Sequence, residues 1–92
     1  MADTNLITNY LRDTFFVGSN YSFHSVLGIH DSSNTTAYVY FNVINNSDDK
    51  TYKSNCKLIF LRNDKWYLYE LTIFDSKGKV LLYYNNLLIP IN

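Results

Sequence analysis

The residues best equipped for chemistry in this chain are few: His24 and His30, the single glutamate Glu70, the single cysteine Cys56, and the serines Ser22, Ser25 and Ser32. Two histidines of the same parity on one strand invite a metal or proton-transfer reading. Six residues at about 3.3 Å each separate them by roughly 20 Å, which excludes a shared metal ion. Each is read as a half-exposed strand histidine. Asp31 follows His30 in a turn cluster, where an aspartate bonds its own backbone. None of the serines has the strand-turn-helix glycine context of an activated nucleophile. Gly18, Gly28 and Gly78 are isolated, so there is no phosphate-cradling loop. A lone cysteine makes neither an intramolecular disulfide nor a cysteine-built zinc site, and Cys56 is read as a buried thiol in a strand. No catalytic set, metal site or cofactor is expected.

Glu70 and the tyrosines remain. Glu70 lies in "KWYLYELTIFD", residues 65–75, where apolar residues fall on both faces of a strand. Strict alternation would place Trp66 and Leu68 opposite Leu71 and Ile73. One extra residue near Tyr69 and Glu70, a β-bulge, would bring all four onto one core face and bend the strand. Burial of the strand on both faces would account for the pattern too. With a bulge, Glu70 points either outward at the bend or inward to a pocket, where burial would raise its pKa and make it an acid-base candidate. In "AYVYFNV", residues 37–43, Val39 and Phe41 facing inward put Tyr38 and Tyr40 on the opposite face, and Tyr67 joins them, with one of Tyr83 or Tyr84 nearby. Cross-strand tyrosines support a sheet by themselves, at about 0.2–1 kcal/mol a pair. An aromatic, charge-poor sheet face is also the composition of a protein interface.

These residues need a scaffold. Leu6, Ile7, Tyr10, Leu11, Thr14 and Phe15 recur at helical spacing, predicting a helix over 4–16 capped by Asp3 or Thr4 and ended by a left-handed Gly18. From Tyr21 the period becomes two, predicting strands over 21–30, 36–44, 52–62, 65–75 and 79–84 and an apolar tail over 85–92. On the first strand Tyr21, Phe23, Leu27 and Ile29 are expected to share a face. Polar clusters such as "DSSNTT" and "NNSDDK" mark the turns, and short connections predict an antiparallel meander. The expected fold class is α+β in a single domain over 1–92. An N-terminal helix packs on a curved antiparallel sheet of four or five strands, around a core of Leu11, Phe41, Leu58, Phe60, Trp66, Leu68 and Leu71.

Composition narrows the function. Eight basic residues balance eight acidic ones with no like-charge run, so nucleic acid is not the expected partner. No stretch approaches the roughly 20 apolar residues of a membrane span, and "MADTNLITNYLRD" lacks the basic and apolar regions of a signal peptide. The default expectation is the cytoplasm, or export if an export segment has been removed. Asn20, Asn34 and Asn45 begin glycosylation sequons of a kind that an Asn-rich chain produces by chance.

One helix, then antiparallel strands, then Trp-x-Leu-x-x-Leu-x-Ile and a glycine hairpin resembles the cystatin-like and nuclear-transport-factor-two-like class. "AYVYFNV" and "LIFLRNDKWYLYELTIFDSKGKV" resemble, within it, the small cytochrome oxidase assembly factors. The likeness spans 9–84. It implies a helix wrapped by a curved sheet, and domains of that class often dimerise through the outer sheet face. The protease inhibitors of the class carry Gln-x-Val-x-Gly, whereas this chain has no glutamine; the oxidase assembly factors carry a membrane anchor, which is not found here.

The expected function is therefore a non-enzymatic protein-interaction domain, acting through Tyr38, Tyr40 and Tyr67 as a homodimer or as an accessory or assembly factor. A small-molecule or peptide pocket between helix and sheet, with Glu70 in it, is one alternative. An inhibitor of a host protein, carried by a phage or other mobile element, is another.

Overall fold

The computed structural model describes residues 3–91. A helix, α1 (Thr4–Tyr10), is followed by the strands β1 (Tyr21–Ser33), β2 (Thr36–Asn45), β3 (Thr51–Phe60), β4 (Trp66–Phe74), β5 (Val80–Tyr84) and β6 (Ile89–Pro90). All pairings are antiparallel, and the sheet runs β1-β2-β3-β4-β5 in chain order, with β6 also on β4. The protein is thus α+β, with one short N-terminal helix and a six-stranded sheet whose first five strands form a meander.

Asp3 caps α1 by accepting from the Asn5 N–H. The helix does not run on in α form to 16. Leu11–Phe15 is a wide π turn, closed by Phe16 N–H donating to the Leu11 carbonyl at 3.2 Å. The extra residue shifts the helical phase by one. Ile7, Leu11 and Phe16 are buried as a result, while Thr14 is exposed and Phe15 is only half-buried. Gly18, at φ 79°, then turns the chain toward β1.

Strand β1 needs thirteen residues to cover the ten of β2, because the register slips past His24, Leu27 and Ser32. The slip at Leu27 overturns the strict alternation expected there. Val26, rather than Leu27, pairs with Phe41, and Leu27 is exposed. On β4, Lys57 pairs with Glu70 and Leu58 with Leu68, leaving Tyr69 as the extra residue. This is the bulge that the apolar pattern of 65–75 suggests. Trp66, Leu68, Leu71 and Ile73 are all buried together.

The core joins Ile7, Leu11 and Phe16 to Ala37, Val39, Phe41, Val43, Cys56, Leu58, Trp66, Leu68, Leu71 and Ile73. Phe60, expected in the core, packs against it half-buried, with its ring centroid 5.1 Å from that of Trp66. The apolar segment after Tyr84 is not a plain tail. Leu87 N–H donates to the bulge carbonyl of Tyr69, left-handed Asn86 and Leu88 turn the chain, β6 pairs with Tyr67 and Leu68, and Ile91 is buried. Strand β5 occupies Leu71 to Phe74 on the same edge of β4, so the bulge separates two partners that share one strand.

One hydroxyl sits badly in this core. Ser54 is 3% exposed, its Oγ has no hydrogen-bond partner among the described residues, and it pairs with Phe41 on one side and Ile73 on the other. An unpaired buried hydroxyl costs about 1–3 kcal/mol. Ser54→Ala is therefore expected to raise Tm by about 4–8 °C, for a gain of about 1 kcal/mol in a domain of this size. A lowered Tm in a thermal melt would show that the hydroxyl is bonded after all.

Candidate interaction surface

With Ala37, Val39, Phe41 and Val43 turned to the helix, the alternate residues of β2 form the outer face of the sheet. Sheet register carries that face across the molecule. Tyr40 lies beside Asn55, Asn55 beside Thr72, and Thr72 beside Tyr83. The neighbouring row is Tyr38, Lys57 and Glu70, with His30 at its β1 end. Tyr67 sits one row further on, next to Ile59.

The three sequence-derived tyrosines thus lie on one face, but not in one row. Tyr40 is 43% exposed, whereas Tyr38 and Tyr67 are half-buried among their neighbours. The most exposed tyrosine of the face is Tyr83, at 52%. Thr72, between Asn55 and Tyr83, is itself buried, so the middle of the face is closely packed.

The charges of the face are arranged unusually. Lys57 Nζ lies 6.0 Å from the ring centroid of Tyr38 and 5.6 Å from that of Tyr69, within cation-π range of both. Glu70, its cross-strand partner, instead accepts from the Tyr83 hydroxyl at 3.1 Å. Among the described residues the one ion pair is Arg12 with Asp13, so Lys57 and Glu70 do not pair with each other. Desolvation and the bond to Glu70 together push the Tyr83 phenol above its ordinary value.

Glu70 is therefore on the outer face and does not line the cleft between helix and sheet. That cleft, about 320 Å³, is formed by Phe15, Phe16, Ser19, Tyr21, Leu82, Tyr84 and Leu87. Both Tyr21 on β1 and Tyr84 on β5 reach it, so the sheet curls until its two edge strands face one opening beneath the π turn. Phe15 stacks edge-on against Tyr84 across it, at 6.1 Å. Its one hydroxyl outside the tyrosines, on Ser19, is taken up by the backbone of Phe16 and Tyr21. Among the described residues that line it there is no carboxylate, imidazole or amine, so the cleft offers volume rather than acid-base chemistry.

His24 and His30 are both exposed, and no group of three or more potential metal ligands occurs among the described residues. No described helix is long and apolar enough to cross a membrane. Of Tyr83 and Tyr84, one of which is expected near the face, Tyr83 is the one that lies on it, whereas Lys57, Asn55 and Tyr69 were not singled out in the sequence. Alternation around buried Cys56 and Leu58 was a signal for Lys57 and Asn55, and the bulge legible in 65–75 was one for Tyr69; the β4-β5 register, which puts Tyr83 rather than Tyr84 on the face, leaves no mark within its own strands. No family model matches this chain, and no curated protein or solved structure matches it.

Proposed function

We propose that this chain is a non-enzymatic protein-interaction domain, and that a protein partner covers the outer face of its sheet. The observation that carries this reading is the row Tyr40, Asn55, Thr72 and Tyr83, flanked by the aromatic-clasped Lys57. Tyrosines give large contact area and a polar tip with little rotamer entropy to lose, and the closely packed middle of the row between them holds that area rigid. A cystatin-like or nuclear-transport-factor-two-like arrangement is the fold reading that suits one helix seated in a curled meander sheet.

Self-association is the first form of the reading to test. In light scattering, the wild type is expected to exceed the monomer mass, and Tyr38→Ser/Tyr40→Ser is expected to run as a folded monomer with an unchanged circular dichroism spectrum. A double variant that assembles as the wild type does would sink the outer-face assignment. A wild type monomeric at every concentration would point the face at a different protein.

A further inference from the structure

Resting on the outer-face reading, we propose that the partner is a second copy of this chain, related by a two-fold axis lying between the two faces and parallel to the strands, along the line between β3 and β4. The residue rows make the face complementary to itself under that rotation. Tyr40, Asn55, Thr72 and Tyr83 read the same from either end: a tyrosine, two short polar side chains, a tyrosine. The rotation exchanges the two sides of the β3-β4 line. It lays Tyr40 against Tyr83 of the second copy, and Asn55 over the position of Thr72, whose side chain is covered by its own neighbours.

The neighbouring row supplies charge complementarity. Lys57 and Glu70 are opposite one another across the same line, yet they form no ion pair within the chain. The same rotation places each Lys57 over Glu70 of the second copy, so one operation creates two reciprocal ion pairs, as an isologous interface requires. Packed sheet faces stand about 10 Å apart, a gap that a lysine and a glutamate side chain span end to end. Lys53, the other cation in the central strands of this face, is exposed and pairs with Phe74 in the sheet, so the rotation lays it over Phe74 of the second copy. A formal net charge of zero removes long-range repulsion between copies. Because the sheet curls toward the helix, two outer faces are convex and meet along their crests, where β3 and β4 lie.

Charge reversal tests the axis. Sedimentation equilibrium is to be run on the wild type, Lys57→Glu, Glu70→Lys, an equimolar mixture of those two variants, and Tyr40→Ser/Tyr83→Ser, each checked for folding by circular dichroism. The wild type is expected to be a dimer. Each reversal, applied twice by symmetry, is expected to weaken it by about tenfold or more, and the mixture is expected to restore it as a heterodimer. If the tyrosine variant dissociates while the reversals do nothing, or are not rescued by mixing, the outer face is the interface but the two-fold is wrong. A dimer insensitive to all the variants overturns both the two-fold and the outer-face reading. A wild-type monomer overturns the second copy and leaves the face to a heterologous partner.

Discussion

Phe41→Ala is expected to destabilise the protein by about 3–5 kcal/mol, the usual cost of deleting a buried aromatic ring. Phe41 is fully buried and links the elements that must come together. Its ring lies 6.3 Å from that of Phe16 after the π turn and 5.9 Å from that of Phe23 on β1, and its strand is the second of the meander. Domains are stable by only about 5–15 kcal/mol in total, and a small domain buries a lower share of its surface than a large one. Much of the variant should be unfolded well below the wild-type Tm. The measurement is urea unfolding followed by Trp66 fluorescence, with circular dichroism as the second probe. A midpoint within error of the wild type would mean that the core is not organised around this ring.

The second large effect concerns Cys56, which is completely buried and has Val39 and Leu71 as its cross-strand partners. Burial pushes its thiol far above the ordinary range, against the opposing pull of a backbone hydrogen bond at Val39. The thiolate is the reactive species, so the native thiol is blocked both by access and by protonation. With an unfolded fraction of about 10⁻³ or less, modification by a disulfide reagent should be at least about a thousandfold slower in buffer than in denaturant. Comparable rates would show that the strand pairing around Cys56 opens readily. The same burial has a pH consequence. The unfolded thiol ionises near its ordinary pKa of 9.0, whereas the folded thiol keeps its proton. Above that pH the unfolded state binds fewer protons, so stability falls by up to about 1.4 kcal/mol per pH unit. The contribution is fully present below pH 9 and is lost as pH rises. Cys56→Ala should have a flatter stability profile above that pH.

The local architecture was written in residue spacing. Leu6, Ile7, Tyr10 and Leu11 specify a helical face, Ala37, Val39, Phe41 and Val43 specify a strand face, and Gly18 and "DSKG" mark turns, because apolar side chains must reach one core and the backbone periods of helix and strand are fixed. Even the β4 bulge was visible, since Trp66, Leu68, Leu71 and Ile73 cannot all share one core face without one extra residue between them. The π turn was not. Phe15 and Phe16 are equally apolar, and which of them enters the core depends on where Phe41 stands when the helix docks. Three register slips in β1 escaped notice for the same reason, as only the length mismatch with β2 requires them. Pairing of the last segment with β4 was hidden too, because it depends on the edge of β4 that β5 leaves open.

The candidate site divides along the same line. Alternation alone put Tyr38 and Tyr40 opposite the core, a property of one strand. Tertiary structure decided that Glu70 faces outward beside Tyr83, that Lys57 rests between the rings of Tyr38 and Tyr69, and that Tyr40, Asn55, Thr72 and Tyr83 make one row. Those neighbours come from different strands, and strand register is set by core packing and bulges summed over the whole sheet, which no single segment of sequence contains.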